Sequence, residues 1–170
     1  MTGEANFVKA YRAARRDFIA TCEQAGADVI SRVHPARGPD GKPLFCDCAS
    51  FGPRDAPRAL LVIAAADGRM TALLRRGLIL PKGAKLVAVH ALDPHISARG
   101  KPGASGWLGQ TLMAIAAEDL SKVKKLMVLD IGGGAAEALL AASLPQASIT
   151  YRAIKPEHAE QAFLSAIAAL

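Results

Sequence analysis

The sequence predicts an α/β domain, with a mostly parallel mixed sheet and helices on both faces. Three observations predict it. The runs "RALLVIAA", "AKLVAVHAL" and "KKLMVLDI" are continuously apolar, as in strands covered on both sides. Segments with helical spacing separate these runs, which calls for crossover connections between parallel strands. Residues 1–60 read differently, as one helix and two strands around a turn, which places antiparallel strands at one edge.

The elements follow in order. "NFVKAYRAARRDFIATCEQAG" spaces Phe7, Tyr11, Phe18 and Cys22 at helical intervals, with Thr2 or Asn6 as cap and Gly26 as stop. "DVISRV" is a strand. "HPARGPDGKP" is dense in Pro and Gly and turns the chain, with His34 in the turn, and "LFCDCASF" returns as the second strand. After "RALLVIAA", "GRMTALLRRGL" is a short helix. "AKLVAVHAL" is a buried strand and "DPHISARGKPGASG" a loop. "WLGQTLMAIAAEDLSK" is an amphipathic helix, and "KKLMVLDI" the third buried strand. "AAEALLAAS" is a helix, "ASITYRAI" the last strand, and "PEHAEQAFLSAIAAL" a closing helix with Pro156 in its first turn. No linker or repeat interrupts the 170 residues, so one domain is expected over 1–170, with the edge strands in 1–60 and the alternating core in 61–170.

Composition narrows the function classes. Hydrophobic residues make up 51% and charged residues 21%, which suits a globular chain. No apolar run is long enough to span a membrane and the start is polar, so the expected location is cytoplasmic, without membrane contact. The net charge of +6 comes from residues 61–126, which hold Arg69, Arg75, Arg76, Lys82, Lys85, Arg99, Lys101, Lys122, Lys124 and Lys125. Aromatics are only 5%, so a solvated basic face is expected and a nucleic-acid surface is not. The sharper reading of that charge is an anionic small molecule or an acidic protein partner. Cys46 and Cys48 are two apart on a strand, point to one face and read as buried thiols.

In a parallel sheet, ligands sit beyond the carboxyl ends of the strands. Three polar clusters fall there: Asp67-Gly68-Arg69, Asp93-Pro94-His95, and Asp130 with Gly132, Gly133 and Gly134. "VLDIGGGAAEALL" resembles the first motif of S-adenosylmethionine-dependent methyltransferases, whose glycine turn admits the cofactor. That family also needs an acid at the end of the next strand, to accept both ribose hydroxyls. Here that strand reads "TYRAIKP", and the acidic position is Ala153. A methyltransferase-like protein using the 128–136 turn is therefore the alternative reading.

A second resemblance covers more of the chain. Phe7 and Tyr11 on the first helix, "HPARGPDGKPL", "GPRDAPRALLVI" and "LVAVHALDP" resemble an uncharacterised bacterial branch of the zinc carboxypeptidase-like clan. The resemblance implies that clan's α/β fold, and hydrolysis of an amide or ester by a zinc-bound water with a glutamate moving protons. It also implies a His and a Glu, three residues apart, as ligands. At those positions "ADGRMT" carries Asp67 and Met70, and a thioether suits a hard dication poorly. The second His falls on Gly132 in "DIGGG", and the general base on Arg152 in "SITYRAIKP". The Asn- and Arg-rich substrate segment is replaced by the shorter "DPHISARGKPGASG".

The expected function is therefore a shortened, ligand-deficient, non-catalytic relative of these hydrolases, acting as a binding or interaction domain. No catalytic, metal or cofactor residue is assigned, and no cofactor is expected. The candidate ligand-facing residues at the strand ends are Asp67, Arg69, Asp93, His95, Asp130, Gly132 and Arg152. A relocated metal site from Asp67, Asp93, His95 and Asp130 is a further alternative, set against helix caps and backbone hydrogen bonds as their ordinary roles. His90, inside an apolar strand, reads as a core imidazole, and His158 as solvated on the final helix. Trp107 reads as core or as a cover over the strand ends. The alanine-rich closing helix leaves homo-oligomerisation open.

Overall fold

A computed structural model describes residues 3–65, 68–76, 78–100, 106–131 and 136–170. The elements run α1 (Gly3–Gln24), β1 (Asp28–Arg37), β2 (Pro43–Phe51), β3 (Arg58–Ala64), α2 (Arg69–Arg75), β4 (Ala84–His90), α3 (Pro94–Arg99), α4 (Trp107–Asp119), β5 (Lys125–Ile131), α5 (Glu137–Ser143), β6 (Ser148–Ile154) and α6 (Ala159–Ala169). A 3₁₀ turn, Pro156–His158, leads into α6. The six strands form one sheet in the order β1-β2-β4-β3-β5-β6. β3, β4, β5 and β6 are parallel, while β2 pairs antiparallel with both β1 and β4. The sheet is thus mixed, with its antiparallel part at one edge, as the sequence predicts.

Alternation along the strands builds two cores. Leu60, Val62, Leu86, Ala88 and Leu129 pack with Phe18 of α1, Met70 and Leu73 of α2, and Phe163 of α6. Leu61, Ile63, Val87, Val89 and Val128 pack with Leu112 and Ile115 of α4 and Leu140 of α5. Helices therefore cover both faces. Cys46 and Cys48 share the α4/α5 face and are buried, free thiols like Cys22.

Several details differ from expectation. The loop after β4 contains α3, because Asp93 caps it, Pro94 opens it and Gly100 ends it in the left-handed region at φ 74°. A side chain at Gly100 would also meet the Phe7 ring, since a Cβ there lies 3.0 Å from Cε2. Asn6 lies inside α1 and is not its cap, while Thr2 lies outside the described residues. β1 runs on through His34 to Arg37, with a register shift between Val33 and Arg37, so His34 is a buried strand residue. Pro35 fits there because β1 is an edge strand. His158 is exposed as expected, but in the 3₁₀ turn before α6. Lys85 leaves the solvated basic face: it is buried, and its ammonium donates to the carbonyls of Arg54 and Asp119. Burial pushes its pKa down, with Asp119 pulling the other way.

Candidate functional site

The parallel register brings the ends of β3, β4, β5 and β6 to one edge of the sheet: Ala64 pairs with His90, Ile63 with Asp130, and Asp130 with Ala153. Beyond it, the Ala91 amide donates to the Ala64 carbonyl at 3.0 Å, and Ala91 adopts φ 55°. A non-glycine residue in that region is uncommon, and here it turns the chain from β4 into α3.

The sheet divides the candidate residues between its faces. Asp130 shares the α4/α5 face with Val128 and Tyr151, two positions from its partner Ala153. The Tyr151 hydroxyl donates to Asp130 Oδ2. Burial and the Asp130 carboxylate push the Tyr151 pKa up, so the hydroxyl stays a donor. Arg152 alternates to the other face and is exposed. Arg69 begins α2 on that side and is exposed, bordering a groove of about 410 Å³ with Leu73, Pro156, Glu157 and Glu160. Arg76, at the C-cap of that helix, pairs with Glu160.

Asp93 takes the capping role. Its Oδ1 accepts from the amides of His95 at 3.0 Å and Ile96 at 3.4 Å. His95 packs against His34, with ring centroids 5.7 Å apart. Trp107 is 9% exposed and donates through Nε1 to the Leu92 carbonyl at 2.8 Å. It is held in the core, pinning α4 to the segment that leaves β4. Asp67 and the whole of Gly132–Gly134 lie outside the described residues. Among the described residues, no three His, Cys, Asp or Glu side chains group as metal ligands.

Of the three positions that the resemblance assigns to zinc ligands, only Met70 is among the described residues, and its thioether suits zinc poorly. Met70, at the position where the resemblance calls for a glutamate, is 1% exposed and packed in the core beside Phe18 and Phe163. Gly132 offers no side-chain donor, and Arg152 is a cation at the base position.

Sequence reasoning missed a buried ion pair beside this edge. Asp47 of β2 is wholly buried and faces His90 across the β2/β4 pair. Arg15 of α1 grips it through Nε at 2.8 Å and Nη2 at 3.0 Å, and the Ser31 hydroxyl donates at 2.5 Å. His90 Nδ1 stands 4.0 Å from the carboxylate, and its ring stacks on Phe18 at 4.8 Å. His90 is thus the core imidazole the sequence predicts, with an unforeseen acidic neighbour. The signal was an aspartate inside the apolar "LFCDCAS", one helix away from an arginine on α1.

Fold and site together define an α/β protein with a mixed sheet and a polar strand-end edge. The chain belongs to the family of proteins of unknown function designated DUF2817, which matches residues 7–99. No curated protein matches it. Among solved structures it is similar to the glutaminyl cyclase of Fimbriiglobus ruber, with 12% identity and TM-score 0.44, over 75% of this chain and 61% of that one. It is similar to human carnosine dipeptidase 1, with 12% identity and TM-score 0.49, over 71% and 32%. A Zn-dependent exopeptidase of Parabacteroides distasonis matches at 13% identity and TM-score 0.43, over 94% and 77%. The chain spans less than two thirds of the length of the first two.

Proposed function

We propose that this chain is a non-catalytic, metal-ligand-deficient relative of the zinc carboxypeptidase-like hydrolases, working as a binding or interaction domain. The observation that carries the reading is Met70. Its thioether fills the core where the resemblance places a metal-bound carboxylate. A buried methionine cannot turn to a metal at the edge without leaving a cavity behind it. The neighbouring carboxylates already have roles, Asp93 in a helix cap and Asp130 under the Tyr151 hydroxyl. The cations exposed near the strand ends, Arg69 and Arg152, favour an anionic small molecule or an acidic protein surface as the partner.

No described helix is long and apolar enough to cross a membrane. A cytoplasmic location, and self-association through α6, belong to the proposal. The test is metal analysis of protein purified without chelators, together with an assay on acyl-amino-acid substrates. The expected result is substoichiometric zinc and no hydrolysis. Stoichiometric zinc accompanied by hydrolysis overturns the reading.

A further inference from the structure

His34 stands where β1, α3 and α4 meet. It is 2% exposed, and its Nδ1 accepts the Ala36 amide at 3.0 Å. That bond fixes the neutral tautomer, with the hydrogen on Nε2. Nε2 is buried and has no hydrogen-bond partner among the described residues. The ring meets Trp107 edge-on at 4.7 Å and His95 at 5.7 Å, between centroids. We propose that His34 is a proton-operated latch: neutral, it ties β1 to Trp107 and His95, and protonated, it releases Trp107 and the start of α4 from β1.

The geometry sets the direction. A proton on Nδ1 turns an acceptor into a donor facing the Ala36 amide, and the remaining acceptor there, the Ala36 carbonyl, is at 3.4 Å. The charge also arrives in a buried space beside a second imidazole. Among the described residues, the groups around it are few. α3 presents the Asp93 carboxylate and His95, and α4 presents the uncharged Trp107. The facing stretch of β2, Pro43 to Phe45, has no titratable side chain. On α1, Arg12 and Arg15 are engaged by Asp40 and Asp47. On β1 itself, Arg32 pairs with Glu118 and Arg37 donates to the Gly41 carbonyl.

Burial lowers the His34 pKa from its ordinary 6.5, outweighing the Ala36 backbone and the Asp93 carboxylate, which favour the charged form. The stability held by neutral His34 is full above 6.5. It is lost as pH falls from there through the lower folded value. The inference stands apart from the binding role proposed above, and concerns the corner that closes over the end of β4.

Trp107 is the sole tryptophan, so the emission reads the surroundings of this ring. The experiment titrates the emission of the full chain from about pH 8 to about pH 4.5, with far-ultraviolet circular dichroism in parallel. The expected result is quenching and a red shift with a midpoint below 6.5, while the helical signal holds. His34→Phe removes the transition, and His95→Asn raises its midpoint by removing the second imidazole. A flat emission, the same transition in His34→Phe, or simultaneous loss of the helical signal overturns the proposal. Should His34→Phe not fold, an unchanged midpoint in His95→Asn overturns it.

Discussion

The Asp47–Arg15 pair is the most consequential contact at the scale of single residues. Its two sides are unequal, since the Arg15 side chain is 22% exposed and that of Asp47 is not exposed at all. Removing Arg15 strands a carboxylate in the core, with, among the described residues, the Ser31 hydroxyl and the neighbourhood of His90 to hold it. Removing the charge of Asp47 leaves an arginine that can turn to water. Arg15→Met should therefore cost about 3–5 kcal/mol in urea unfolding, and Asp47→Asn about 1–3 kcal/mol. Equal costs, or the reverse order, contradict this account of the pair. The thiols give a second expectation. All three cysteines are buried, and burial pushes those of Cys22 and Cys46 up to about 12. In the folded protein none should react with a thiol reagent at neutral pH, and all three should react in denaturant.

Among the elements, α3 and β6 each carry a side-chain hydrogen bond whose removal can be read locally. α3 depends on Asp93 at its start, so Asp93→Ala should lower stability by about 1 kcal/mol, read from the urea midpoint. β6 is an edge strand, fixed at its middle by the bond from Tyr151 to Asp130. Tyr151→Phe leaves a buried carboxylate oxygen short of a donor and should cost about 1–3 kcal/mol. Amide exchange should quicken in β6 while β3, with partners on both sides, keeps its protection. The elements themselves were largely legible in the sequence, because apolar runs and helical spacing report burial directly. "DPHISARG" was not read as a helix, since Pro and Gly there signal a turn. The Asp93 cap, with Pro94 and Gly100 at the two ends and the docking on α1, makes those six residues helical. The site was less legible than the fold. Which strand-end residues share a face depends on register, and register separates Asp130 from Arg152 although both stand near strand ends. The partner of Asp47 was not legible for a related reason, because α1 and β2 are joined only through tertiary packing.

For the molecule as a whole, pH acts at both ends of the scale. Cys22, Cys46 and Tyr11 each bind their proton more tightly when folded, with pKa values raised to about 12 from 9.0, 9.0 and 10.0. The folded state therefore holds more protons at alkaline pH, and stability should fall as pH rises past 9.0 toward 12. Urea midpoints measured on the alkaline side should show this decline, and replacing Cys22 with Ala should make it shallower. The strand order has a further consequence, which belongs to time. β1 and β2 emerge first and can pair at once, yet their entry to the sheet is through β4, which is made after β3. β3 in turn sits between β4 and β5, both later in the chain. A ribosome that has released only β1 to β3 thus holds a hairpin and a separate strand, apolar after Arg58, with nothing yet to join them. Chains halted at that stage should be the ones that aggregate and recruit chaperones, and chains halted after β5 should not.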